Sequence, residues 1–246
     1  MKLLRALPSL NTLMTASFPF TPEDLRGFPL FASLNEEQSH ALLRDHRRLS
    51  LPADQRLLFE GDWSDGVFLV CKGIAKVCRI NNLGEEAVLA LVGPGELLGE
   101  LAVLMPQRRR TADVTSLTPM DLVKLRAQWF EEALDRIPAF TRAVACLEAR
   151  RLTCLDERFG LQSDDAKTRV LATLLELARL GSASDDPHQP IPDLAQREIA
   201  SIAGLARGTT SRILMELRNR GTLEQTPEGL RFSNLEPLQR RNLLDP

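Results

Sequence analysis

Between Pro94 and Ala112 the sequence PGELLGELAVLMPQRRRTA gathers residue types suited to holding a small anion. Gly95 and Gly99 open a short apolar run, Leu101 to Leu104, and Glu100 stands in its first turn, where backbone N–H groups lack an internal partner. Ten residues past Glu100 comes Arg110, followed by Thr111. If the segment between them forms a tight loop, a forked cation and a hydroxyl return to the same anion. A carboxylate repels phosphate, so Glu100 suits a different duty, accepting a hydrogen bond from a sugar hydroxyl attached to that phosphate. At Gly99 any side chain would block phosphate from the backbone. The composite reads as a cyclic nucleotide pocket.

A second constellation lies between Gln196 and Arg220, where five arginines stand against two glutamates, a local charge of +3. Gln196 to Leu205 spells one short helix and a turn, with Ile199 and Ile202 inward, Ala200 at a close approach and Gly204 at the bend. The next helix, Ala206 to Leu217, buries Thr210, Ile213, Leu214 and Leu217 and leaves Arg207, Gly208, Thr209, Ser211 and Arg212 on its open N-terminal face. This is the layout of a helix-turn-helix, whose second helix enters the major groove of double-stranded DNA. Arg207 and Arg212 are suited to guanine O6 and N7 or to phosphate, and Thr209 and Ser211 offer hydroxyls to either. Over the whole chain the net charge is only -2 and the pI about 6.0, so a nucleic-acid surface must be local.

Gly99-Glu100-Leu101-Ala102 and Arg110-Thr111-Ala112 resemble the phosphate-binding cassette of cyclic-nucleotide-binding domains, and Gln196 to Arg220 resembles the DNA-reading helix pair of the CRP/FNR family of bacterial transcription regulators. The resemblance covers roughly residues 51–232 and implies an effector site at Gly99, Glu100, Leu101, Arg110 and Thr111. It further implies a cytoplasmic homodimer on a palindromic operator, in contact with RNA polymerase, in which Arg212 reads a base. Gly208 departs from the acidic residue common in relatives and cannot accept from a cytosine amino group, so the sequence read should differ from the best-known consensus. Cyclic-AMP-responsive relatives place a threonine and then a serine in the dimer helix; this chain has Leu155 and Asp156. Ionised Asp156 accepts from adenine's amino group or, with both oxygens, from guanine N1–H and its amino group; otherwise it is solvated or paired with an arginine. Cyclic AMP is therefore not expected to be a tight, selective activator. The alternatives are an effector-independent regulator with a vestigial pocket, or a cyclic-nucleotide-binding module acting on a protein partner.

The elements that must position these residues are those of an α+β chain. Residues 1–20 read as a loose arm. Residues 21–126 form a β-roll, or jelly roll, led by short helices beginning near Thr21 and Ser33, with brief apolar runs punctuated by glycines and a hairpin tip at Asn81 to Gly84. Residues 127–161 turn helical, where Phe140, Val144, Leu147, Leu152, Leu155 and Phe159 follow a stripe expected to be a two-helix dimer seam, with Arg150 and Arg151 on its solvated flank. Residues 162–246 form a winged helix-turn-helix: a helix from Ala166 to Leu180 capped by Ser163 or Asp164, a polar loop over 182–193, the reading helices, a wing over 222–232, and a tail from Ser233 expected to fray.

Cys71, Cys78, Cys146 and Cys154 have neither zinc nor disulfide spacing and are expected to be buried, reduced thiols. His40, His46 and His188 form no pair with ligand spacing, so neither a metal nor haem is expected. No apolar run reaches the roughly 18 to 20 residues of a membrane-spanning helix, and none of the constellations needed for catalysis appears, so the chain is not expected to be an enzyme.

Overall fold

Glycines and short polar turns cut residues 47–126 into strands each too short to bury a core alone, and these stack as two antiparallel sheets. The computed structural model describes residues 14–15, 19–82, 84–181, 186–227 and 229–244. Strand β1 (Met14–Thr15), helix α1 (Pro22–Arg26), a 3-10 turn (Pro29–Phe31) and α2 (Glu36–Leu42) lead the roll. Thr21 and Asn35 start the two helices by exchanging bonds with Asp24 and Gln38 three residues on. There follow β2 (Arg47–Leu51), β3 (Arg56–Leu58), β4 (Gly66–Lys72), β5 (Ala75–Ile80), β6 (Glu86–Val92), β7 (Leu97–Leu98), the short helix α3 (Glu100–Leu104), β8 (Asp113–Ser116) and β9 (Met120–Arg126). One sheet runs β1-β2-β9-β4-β7 and the other β3-β8-β5-β6.

The unbroken apolar run of β4 follows from its having both faces covered. Phe68 and Val70 point into the roll with Leu49, Val114 and Leu122, while Val67 and Leu69 point outward against Phe31, Phe130 and Phe140. The outer layer is made by α1, α2, α4 (Ala127–Arg136) and the first half of α5 (Pro138–Leu161). The helical stretch expected over 127–161 is thus two helices, broken at Ile137. Proline disfavours helical backbone in the residue before it but is well placed to begin a new helix.

In the C-terminal part, α6 (Ala166–Leu180), α7 (Gln196–Ala203), α8 (Arg207–Asn219), the hairpin of β10 (Leu223–Thr226) and β11 (Gly229–Phe232), and α9 (Glu236–Gln239) close on one apolar cluster. The cap of α6 is Asp165, not Ser163 or Asp164; its carboxylate accepts from Lys167 N–H at 2.8 Å and Thr168 N–H at 3.0 Å. The tail does not fray over its described length: Leu238 is fully buried and Arg241 donates to Thr168 Oγ1 at 3.1 Å. The expectation of a loose arm falls largely on residues 1–13 and 16–18, outside the described residues, while the backbone at Met14–Thr15 pairs with β2. The same apolar cluster includes Ile74, Leu91 and Leu117 of the roll, so the two halves share a continuous apolar contact.

The expected burial of the cysteines holds for Cys78 alone. Cys71 is half-buried, and Cys146 and Cys154, both on α5, are exposed. The stripe on α5 divides in the same way. Phe140, Val144 and Leu147 are buried in the chain's own core, stacked on Phe31 and edge-on to Phe130 in the case of Phe140. Leu152, Leu155 and Phe159 are exposed, and these are the residues left to form a seam. Phe140→Ala is accordingly expected to destabilise the isolated chain by about 3 to 5 kcal/mol in chemical denaturation. A loss under about 1 kcal/mol would contradict its place in the core.

Candidate functional site

At the end of β7 the chain turns through Gly99, whose φ of 79° and lack of a side chain set the geometry: a Cβ there would lie 1.9 Å from the Arg110 guanidinium. The loop after α3 returns along residues 61–64, where Arg110 N–H donates to Asp62 O at 2.8 Å and Gly61 N–H to Arg110 O at 2.8 Å. This brings the Arg110 side chain under Gly99, donating from Nη1 to Gly99 O at 2.8 Å and from Nη2 to Gly66 O at 2.9 Å. Its two neighbours face elsewhere. Arg108 pairs with Glu131, and Arg109 donates to Gly61 O at 2.7 Å. Burial lowers the Arg110 pKa, against the opposing pull of Asp65, Glu100 and Asp62.

Glu100 is 3% exposed, an uncommon place for a carboxylate. Its Oε1 accepts from Arg151 Nη1 at 2.7 Å, while its Oε2 is buried with no hydrogen-bond partner among the described residues. Arg151 also donates to Leu97 O and lies 3.5 Å from Glu148 and 4.0 Å from Glu96. Arg151 therefore leaves the solvated flank expected for it, whereas Arg150 is exposed. The buried stripe at 140, 144 and 147 continues to 151 at helical spacing, and that periodicity was the signal available for finding it. Glu148 and Glu96 carried no comparable signal. Within the cassette, Leu101 and Thr111 are exposed. Leu155 and Asp156 are exposed farther along α5, and Asp156 makes no hydrogen bond to the cassette.

The reading helices are fixed by their inner faces. Ile199, Ala200, Ile202 and Ala203 of α7 and Thr210, Ile213, Leu214 and Leu217 of α8 are buried, and Gly204 caps α7 with a φ of 62°. Arg207, Gly208 and Arg212 are exposed, and Thr209 and Ser211 half-exposed, at the start of α8. Neither Arg207 nor Arg212 is in an ion pair with a described residue, so both guanidiniums are open to an anionic partner.

Several polar ties join these helices to the rest, among them Arg197 to Asp54 at 2.9 Å and Lys167 to Glu216 at 3.0 Å. Lys76 of β5, 8% exposed at its side chain, bonds Glu86 at 2.6 Å and Glu198 of α7 at 2.7 Å, and Ser201 donates to Glu86 at 2.6 Å. Burial opposes the Lys76 charge, but Glu198 and Glu86 outweigh it and raise the pKa. Burial likewise opposes the Glu86 charge, and Lys76 and Ser201 outweigh it and lower the pKa. Near the end of α5, Arg158 grips both oxygens of Glu176 in α6 at 2.8 and 2.6 Å and donates to Ile202 O at 3.2 Å.

Residues 48–137 match the family model of the cyclic nucleotide-binding domain, and residues 168–241 that of the Crp-like helix-turn-helix domain. The chain is 31% identical over 204 residues to the cyclic AMP receptor protein of Thermus thermophilus, covering 82% of this chain and 91% of that one. It is 26% identical over 214 residues to a CRP-like cAMP-activated global transcriptional regulator of Mycobacterium tuberculosis, covering 86% and 95%. The solved structure of FixK2 from Bradyrhizobium japonicum superposes with a TM-score of 0.69 over 82% of this chain and 98% of that one, at 20% identity, a likeness of fold. Among the described residues no helix is long and apolar enough to cross a membrane.

The polar tie at Lys76 sets a stability prediction. Lys76→Met leaves Glu86 and Glu198 without their cation and is expected to cost about 1 to 3 kcal/mol at neutral pH, less than a fully buried pair because both carboxylates keep some solvent access. Glu86 lies below its ordinary 4.5, so its contribution is complete above that value and lost as the pH falls through the lowered pKa. Denaturation of both proteins from neutral to acid pH should converge at the acid end; equal stability at pH 7 would contradict the tie.

Proposed function

Because the chain belongs to the CRP/FNR family of transcription regulators, we propose that it binds palindromic operator DNA as a homodimer under the control of a cyclic nucleotide held in the β-roll. The observation that carries the effector half is the arrangement on one short loop of a buried arginine beneath Gly99 and a buried carboxylate with one oxygen unpartnered. These residues fit the group. Arg110 would pair with the cyclic phosphate, and Glu100 Oε2 would accept from a ribose hydroxyl, relieving the cost of a buried, unmatched oxygen. A relative named as a cyclic AMP receptor, 31% identical over most of both chains, supports the same ligand class. The purine is a separate matter, since the exposed Asp156 accepts protons from the exocyclic amino group of either adenine or guanine.

Dimerisation is assigned to the exposed half of α5. Glu148, Leu152, Leu155 and Phe159 follow steps of 4, 3 and 4, the spacing of a two-helix seam, and the last three expose apolar side chains that the chain's own core does not use. Pairing there would set two copies of α8 side by side. A symmetric pair of helix-turn-helix readers on one face of the duplex then calls for half-sites about one helical turn apart, so that both copies of α8 meet the major groove.

Two substitutions test the reading. Arg110→Leu removes charge-assisted hydrogen bonds worth about 1.5 to 3 kcal/mol and is expected to weaken cyclic nucleotide binding about tenfold or more by calorimetry. Unchanged affinity would refute the phosphate role. Arg212→Ala is expected to cost about 1 to 3 kcal/mol in operator binding and to relax preference at one base pair per half-site. A binding-site selection in which the variant kept the parent's preference would instead make Arg212 a phosphate contact.

A further inference from the structure

The carboxylates gathered around Arg151 outnumber it. Glu148 reaches Arg151 from one turn earlier on α5, Glu100 from α3, and Glu96 from the turn between β6 and β7, at 3.5, 2.7 and 4.0 Å respectively. Three carboxylates thus face one guanidinium in a site where Glu100 Oε2 is buried and unpartnered. They are not equally secured. Glu100 holds the short bond to Arg151, and Glu96 Oε2 accepts the Gly93 N–H at 2.9 Å. Glu148 has only the longer bond from Arg151 at 3.5 Å, and its pKa is pushed up to about 7, by burial first and then by the charge of Glu100, with Arg151 opposing and Glu96 and a side-chain hydrogen bond with Glu100 adding. Across a seam paired at Leu152, Leu155 and Phe159, the Glu148 of a second copy would stand near this one and raise it further.

An arriving cyclic nucleotide brings one more negative charge and removes water from the same site. Both effects disfavour an ionised Glu148, the least anchored carboxylate present. We propose that Glu148 couples effector binding to proton uptake, taking a proton from solvent onto its carboxylate as the cyclic phosphate enters beside Glu100 and Arg151. The inference rests on the cyclic nucleotide reading of the pocket and names a regulation of it: occupancy falls as the pH rises. Since the free carboxyl titrates near 7 and the occupied one higher, affinity is level on the acid side and declines above neutrality. The decline reaches at most tenfold per pH unit for one proton.

Calorimetric titration with cyclic AMP and cyclic GMP, from about pH 6 to about pH 8.5 and in buffers of different ionisation heat, reads both affinity and proton uptake. The parent is expected to weaken about tenfold across that range and to take up a fraction of a proton at neutral pH, whereas Glu148→Gln keeps the acid-side affinity with under about twofold drift. A cyclic phosphodiester does not titrate in this range, and any histidine contribution would persist in the variant. An infrared titration without nucleotide adds a second readout: a protonated carboxyl band fading near neutral pH in the parent and missing from Glu148→Gln. Equal pH profiles in the two proteins, or binding without proton uptake, would overturn the inference alone. Failure of both nucleotides to bind at any pH would overturn the pocket reading and the inference with it.

Discussion

The bond between Glu100 and Arg151 is the interaction on which the remaining architecture turns. It joins the five-residue helix of the cassette to the longest helix in the chain, and it does so through a carboxylate that is almost wholly buried. Such a pair contributes little net stability, because desolvating two charges offsets most of their attraction, but losing one partner leaves the other buried and unmatched. Its value lies in geometry. The oxygen that holds α5 and the oxygen left for a ligand belong to the same carboxylate, so anything that bonds the second alters the electrostatic surroundings of the first.

From that point two routes lead to the reading helices. Along α5, Arg158 clamps Glu176 of α6 and the end of α7, a direct polar link from the long helix to the helix-turn-helix. Across the roll, Lys76 binds α7 through Glu198, and the apolar contact of Ile74, Leu91 and Leu117 backs that tie. One route begins at the pocket and the other fixes the reading helices against the sheet that frames it. On the proposed reading, a ligand that shifts α5 would work against the Lys76 tie, and regulation would be a change in the balance between two docked arrangements.

Legibility in the sequence followed the range of the interactions. The cassette turn depends on Gly99, and the bend of the reading helices on Gly204; both are local backbone requirements written in a few adjacent residues, and they led to the fold and the family. The proximity of Arg110 to Gly99 was readable from spacing because one loop closes it. The meetings of Arg151 with Glu100 and Glu96, and of Lys76 with Glu198, were not, since each joins elements far apart in the chain. The stripe on α5 was visible as a period but not as a partition, because apolar spacing alone does not say whether a residue meets its own core or a second copy. Leu238 is a similar case: a largely polar tail hid a leucine that is fully buried in the C-terminal core, with Leu235, Leu243 and Leu244 packed against the same cluster.

The central claim is that the pocket and the reading helices share one equilibrium. It is tested most directly by the affinity of a cyclic nucleotide for the dimer, measured free and again saturated with a selected operator duplex. Linkage requires that whatever factor the nucleotide adds to DNA binding, DNA adds to nucleotide binding. The account predicts tighter nucleotide binding on the operator complex, by about five- to 150-fold if the coupling lies in the usual range. Equal affinity in the two states would contradict it.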